Sequence, residues 1–135
     1  MDGRLTLTVV TRERALLHGV PCDEVAVPCL RGEIGVLPGH TPLIALLGIG
    51  VVAYRDGARR QTLAVRGGFV EIAGDAVRVL ADEAAAPDTI DAAAASAEKA
   101  DAEGRQARAA GDEELADASA DARFAEARLA VVRPA

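Results

Sequence analysis

The sequence predicts a β + α chain: an N-terminal antiparallel β-sandwich over residues 1–86, then a C-terminal antiparallel two-helix hairpin over residues 87–135. Three observations carry this. Apolar residues alternate with a period of two, broken by turn signals about every ten residues, from Arg4 to Ala86. The alternation ends at Ala84-Ala85-Ala86-Pro87. Beyond it, alanine fills two segments separated by Gly111.

The elements follow in order. Leu5, Leu7 and Val9 alternate with Thr6, Thr8 and Val10, the pattern of a half-buried strand. Val25 and Val27 repeat it before Pro28. Leu43 to Val52 is an apolar run that reads as sandwich core; it has about half the roughly 20 residues a membrane-spanning helix needs, and Gly48 and Gly50 interrupt it. Val51, Val52 and Tyr54 lead into Asp56-Gly57, a two-residue hairpin signal, and Thr62 to Val65 is the return strand. Gly67-Gly68 reads as a break. Phe69 to Ala73 and Val77 to Ala81 then flank Gly74-Asp75, which suits a primed turn with Gly at its first central position.

Past Pro87, either Asp88 or Thr89 is expected to cap a first helix, with acid in its first turn. Gly111 ends it and Asp112 is expected to cap a second helix that runs to about Val132, before Pro134. Helical spacing gives two facing stripes: Ile90, Ala93, Ala97, Ala100, Gly104 and Ala107, and Leu115, Ala118, Ala122, Ala125, Leu129 and Val132. Alanine favours the helix strongly. It buries little area, so such a hairpin forms readily and is held to its surroundings weakly.

Composition narrows the function. The net charge is −6, which argues against nucleic acid as a partner, because phosphate neutralisation needs a basic surface. The acidity is uneven: residues 88–135 hold eleven acids against six bases, while residues 1–87 are nearly balanced. In the second helix the acids come early and Arg123, Arg128 and Arg133 come late, which complements the helix dipole and also offers a basic face to an acidic partner. Met1-Asp2-Gly3-Arg4 leads directly into the first strand without the apolar segment of a signal peptide. Cys22 and Cys29, if they flank one extended strand, lie roughly 23 Å apart at about 3.3 Å per residue, too far for a disulfide.

The sequence holds no recognisable catalytic constellation. His18 and His40 have no partner at metal-ligand spacing, and no GxSxG elbow or GxxxxGK[ST] loop is present. Gly32, Gly35 and Gly39 have no lysine behind them to complete a phosphate cradle. Asp82-Glu83 reads as a solvated strand end. No catalytic residue, metal site or cofactor is expected, and a binding or structural protein is the favoured class.

The stretch Gly32-Glu33-Ile34-Gly35-Val36-Leu37-Pro38-Gly39-His40-Thr41-Pro42-Leu43 resembles the signature of the epsilon subunits of bacterial rotary ATP synthases (delta subunits in mitochondria). Leu5 to Thr11, Arg66-Gly67-Gly68-Phe69-Val70-Glu71 and Val79 to Ala84 follow in the family's order. The resemblance implies a sandwich-plus-hairpin subunit at the foot of the central stalk. It would bind the gamma subunit and rest on the membrane ring, coupling proton flow to ATP synthesis with no catalytic site of its own. The location implied is peripheral, on the cytoplasmic face of the bacterial inner membrane, without insertion. The positions that face the ring map to Glu33 and His40; read without the family, they are a solvated turn acid and a histidine held between Pro38 and Pro42. The helices would inhibit ATP hydrolysis when extended toward the alpha/beta head, with Arg123, Arg128 and Arg133 as the basic residues that meet the beta subunit. Some members bind ATP through Ile/Leu-Asp-x-x-Arg-Ala. Here the motif reads Ile90-Asp91-Ala92-Ala93-Ala94-Ala95, so Ala94 replaces its arginine; in the second helix Arg128 matches one arginine and Phe124 stands in place of another. Weak or no nucleotide binding follows. The alternative reading is a stand-alone β-sandwich that binds a small ligand or peptide and dimerises through its helices.

Overall fold

The computed structural model describes residues 3–133. Met1-Asp2 and Pro134, to which the leader and helix-stop readings refer, lie outside the described residues. Eight strands come first: β1 (Leu5–Val10), β2 (Ala15–Cys22), β3 (Glu24–Cys29), β4 (Gly32–Val36), β5 (Leu43–Leu46), β6 (Ile49–Asp56), β7 (Arg59–Ala73) and β8 (Ala76–Ala85). A 3-10 turn (Pro87–Thr89) leads to helices α1 (Ala92–Arg108) and α2 (Asp112–Val132). The β-sandwich followed by a helical pair is the architecture the sequence predicts.

The strands hydrogen-bond in the order β2-β1-β8-β7-β6-β3-β4, and β5 pairs with the far half of β7. All pairs are antiparallel except β1 against β8, which is parallel. The long β7–β8 ribbon belongs to both layers. Its first half, with β6, β3 and β4, forms one layer; its second half, with β5, β1 and β2, forms the other.

The ribbon changes layers at Gly67-Gly68. The sequence reading made this a break, but β7 runs through it with its register against β8 intact, Arg66 opposite Glu83 and Gly68 opposite Ala81. What changes is the buried face. Leu63 and Val65 point into the core before the glycines, and Val70 and Ile72 after them. The glycines have φ of +68° and +101°, which L-residues rarely adopt. At Gly68 a Cβ would also collide with the Leu80 carbonyl oxygen.

The layers enclose one core of fully buried Leu5, Leu7, Val9, Val25, Val27, Val36, Val52, Val65, Val70, Val77 and Val79, with Ile72, Leu63 and Leu47 nearly so. With so few aromatic residues, β-branched side chains do the filling, as the pleated surface favours. The two cysteines are free, Cys22 at the end of β2 and Cys29 at the end of β3.

Several sequence expectations need correction. Leu43 to Val52 is not all core: Leu47 and Val52 are buried, but Leu43, Ile44 and Leu46 are 36, 69 and 63% exposed. β5 is an edge strand, and among the described residues nothing covers its outer side. The β6–β7 loop is Gly57-Ala58, with Asp56 paired to Arg59, because φ of +63° at Gly57 puts the glycine at the first central position. In the β7–β8 turn both Gly74 and Asp75 have positive φ, so Asp75 also takes the left-handed region it tolerates. The Asp88/Thr89 cap fails: those residues form the 3-10 turn, and Asp91 caps α1 by accepting from the Ala94 N–H at 3.1 Å. Asp112 does not cap α2. Gly111 occupies that position, and Glu114 reaches back to accept from the Ala110 N–H at 2.8 Å.

The α1 stripe is also displaced. Ala93, Ala97, Ala100 and Ala107 are exposed, and Ala95 and Ala102 are the buried residues. Where nearly every position is alanine, composition carries no phase. In α2, Ala118 and Ala125 are buried as expected and Leu115 is exposed. α2 has a second buried face, Phe124, Ala127 and Val131, which packs on Ala64, Ile49 and Val51 of the sandwich with Ile90 alongside. The hairpin therefore lies against the outer side of the β6–β7 layer.

Candidate functional site

Two surfaces stand out. The first is the edge where β4 and β5 face one another. Glu33 lies outward on β4 opposite Pro28, exposed. β5 is tied to β7, Leu43 opposite Ile72 and Leu46 opposite Phe69, and the Leu30 N–H donates to the Leu46 carbonyl at 3.0 Å. Between the two edges is a groove of about 480 Å³, lined by Leu30, Glu33, Ile34, Leu43, Ile44 and Leu46 among others. Leu30 is 67% exposed. A contiguous apolar surface of this kind on a chain with a well-filled core marks a place where another molecule packs.

The loop from Leu37 to Pro42 closes one end of this edge. The His40 N–H donates to the Leu37 carbonyl at 3.1 Å, and its Nδ1 lies 2.6 Å from the Thr41 carbonyl oxygen. The Gly39 N–H donates to Asp75 Oδ1 at 2.7 Å, which pins the loop to the β7–β8 turn. His40 is half-buried and held. Glu33 sits near the start of β4 beside the β3–β4 turn, and His40 lies in the loop beyond the other end of that strand, beside the β7–β8 turn.

The second surface is the joint between sandwich and hairpin. Arg66 of β7 donates from Nη1 to Asp121 Oδ1 of α2 at 2.8 Å, and Arg105 Nη2 of α1 lies 3.0 Å from Asp121 Oδ2. One carboxylate joins three elements. Hydrogen bonding from Arg66, then from Arg105, holds it below the usual carboxylate range against some opposing desolvation. Phe124 lies beside it, 7% exposed, with the Arg128 guanidinium 4.9 Å and the Arg66 guanidinium 6.0 Å from its ring centroid. These groups and Glu83, Glu98 and Asp101 line a cleft of about 550 Å³.

The family-derived residues are scattered over this joint. Ile90 packs in the joint's apolar cluster and Asp91 is spent as a helix cap. Arg128 is bound to Glu98 of α1 and stacked on Phe124. Arg133 bonds to Glu126 at 2.9 Å, and Arg123 is exposed. Arg123, Arg128 and Arg133 do not form one face with the hairpin in this position: successive steps of five residues turn them round the helix. Among the described residues, no group of three or more His, Cys, Asp or Glu is placed to hold a metal, and no helix is long and apolar enough to cross a membrane.

Sequence reasoning missed the Arg66–Asp121 pair and the exposed face of β5. The pair spans 55 residues and leaves no local signal. The β5 face left one: Leu43-Ile44-Ala45-Leu46 is apolar at both parities beside a Pro-rich turn, which at a sheet edge means a covered outer side. Phe124 was visible as one of two phenylalanines in the chain, set in an alanine-rich helix.

A β-sandwich with an exposed apolar edge and a docked helical hairpin has the make-up of a subunit that packs against other proteins. The chain belongs to the ATP synthase delta/epsilon family, among its epsilon chains. Residues 4–87 match the family model described as ATP synthase, Delta/Epsilon chain, beta-sandwich domain. The ATP synthase epsilon chain of Solibacter usitatus is 47% identical over 91 residues, 67% of each chain. That of Symbiobacterium thermophilum is 41% identical over 101 residues, 75% of this chain and 73% of the relative. The fold recurs at a TM-score of 0.83 and 18% identity in a chain of the Euglena gracilis mitochondrial ATP synthase OSCP/F1/c-ring structure, over 98% of this chain and 84% of that one.

Proposed function

We propose that this chain is the non-catalytic central-stalk subunit that couples proton translocation through a membrane ring to rotational ATP synthesis. It works at the cytoplasmic face of the membrane without entering it. The observation that carries the reading is the exposed apolar edge of β5 and the β3–β4 tip, with Glu33 at its margin. An apolar area at the centre of an interface supplies affinity, and polar groups at its rim supply register. In this reading Leu30, Ile44 and Leu46 pack on the gamma subunit, and Glu33 and His40 meet polar loops of the ring. The hairpin is the regulatory part. Detached, it extends toward the alpha/beta head and slows ATP hydrolysis through Arg123, Arg128 and Arg133. Nucleotide has little to bind: Ala94 offers no charge, Phe124 fills an arginine position, and Arg128 is engaged by Glu98.

The test is reconstitution of the complex. Ile44→Asp with Leu46→Asp places two charges in the apolar surface and is expected to abolish co-purification of gamma while the free chain stays folded. Retained assembly overturns the coupling surface. Deletion of residues 88–135 is expected to raise ATP hydrolysis by the assembled complex; unchanged hydrolysis removes the regulatory role.

A further inference from the structure

The ion pair that ties α2 to the sandwich has a second partner waiting on each side. Arg66 bonds across the joint to Asp121, and its Nε lies 3.6 Å from Glu83 Oε2 on the neighbouring strand β8. Asp121 bonds across the joint to Arg66, and its other oxygen lies 3.0 Å from Arg105 on α1, inside the hairpin. Phe124 repeats the arrangement: Arg66 flanks it from the sandwich, and Arg128 stacks closer from its own helix. Breaking a half-buried ion pair is costly mainly because it strands a charge. Here separation strands none.

We propose that Arg66, Glu83, Asp121 and Arg105 form a partner-exchange latch, in which Arg66 closes onto Glu83 and Asp121 keeps Arg105 as the hairpin leaves. This rests on the reading above that the hairpin detaches, and it says how the fold keeps that equilibrium near balance. The remaining ties support movement as one body. Arg128–Glu98, Lys99–Glu126 and Gln106–Ser119 all join α1 to α2 and survive release. The only cross-joint ion pair is Arg66–Asp121 among the described residues. Salt therefore acts on the latch directly, because the pair is partly exposed, with 27 and 38% of the two side chains accessible.

The latch has a signature a simple clamp lacks. Asp121→Asn removes the docked-state partner of Arg66 and favours release. Glu83→Gln removes the released-state partner and favours docking. If Glu83 merely steadied Arg66 in the clamp, both changes would favour release.

Phe69 and Phe124 are the only phenylalanines, so the full chain labelled with fluorophenylalanine gives two fluorine signals, assigned with Phe69→Leu. The Phe124 signal reports docked and released populations across a salt series. The ratio of released to docked is expected to rise about two- to fivefold in Asp121→Asn and to fall by a similar factor in Glu83→Gln. A released signal that moves the same way in both variants overturns the exchange and leaves hairpin detachment standing. A Phe124 signal that stays docked in every variant at every salt concentration overturns detachment, and the exchange with it.

Discussion

The sandwich core and the hairpin's docking face are both apolar, but they are made of different side chains and have different consequences. The core is leucine, isoleucine and valine, twelve of them essentially inaccessible, drawn from both layers. The docking face has Phe124 and Val131 as its larger buried members, with Ala64 and Ala127, half-buried Ile49, Val51 and Ile90 around them, and one ion pair beside them. Each fully buried large side chain is worth roughly 1.5–3 kcal/mol, so the first region has a large reserve and the second almost none. The seam between the helices is thinner still, Ala95 and Ala102 with Ala118 and Ala125. It lets two helix backbones approach closely and is reinforced by side-chain ties. One sequence thus encodes a rigid part and a movable part by choice of side-chain size.

The sharpest test of this contrast is a pair of truncations. Ile72→Ala, at a site 1% exposed inside the sandwich, is expected to lower unfolding free energy by about 2–5 kcal/mol. Urea denaturation followed through strand signals measures it, and strands and helices should lose stability together. Phe124→Ala is expected to leave the sandwich midpoint where it was. It should weaken hairpin docking by about 2 kcal/mol, roughly thirtyfold in population, through lost burial and ring–guanidinium contact. Amide exchange in Ile49, Val51 and Ala64 would rise while exchange in β1 and β8 stayed slow. A loss of sandwich stability as large as that of Ile72→Ala would mean that the two regions unfold as one.

The same contrast explains what the sequence disclosed. Period-two alternation placed β1, β3, β6, β7 and β8, because each has one face in the core. β2 and β4 were not separately placed: β2 is exposed or half-exposed at all but its last residue and β4 carries Gly32 and Gly35, so neither has a clean alternation. Gly67-Gly68 read as a break because the buried parity changes there; only the pairing with β8 shows that the ladder continues. The helices were legible from alanine content and their phase was not. Glu33 and His40 came from a motif, and only the fold shows that they lie toward opposite ends of β4. The latch was illegible, since its members sit on four elements, spread from residue 66 to residue 121, and each alone is an ordinary surface charge.

The smallest expected effect lies in acid. Asp121, Asp23 and Glu126 all titrate below the usual carboxylate range. Their causes differ. The Gly57 N–H lowers Asp23 within the sandwich, and Arg133 lowers Glu126 within α2. Only Asp121 is lowered chiefly by a group across the joint, Arg66. A depressed value means that the docked state favours the ionised carboxylate. In the released hairpin Arg105 still lowers this carboxylate, so its contribution to docking is complete above that released value, itself below the free aspartate value of about 3.9, and fades as pH falls through the lower docked value. Docking is therefore expected to be flat with respect to this carboxylate through neutral pH and to weaken only in strong acid. Partial exposure limits the change to a few-fold. The Phe124 fluorine signal followed from pH 7 downward measures it, and Asp121→Asn should remove that acid-dependent part of the curve. A curve of the same shape in the variant would assign the acid response to other carboxylates and reduce Arg66–Asp121 to a surface pair of no consequence for docking.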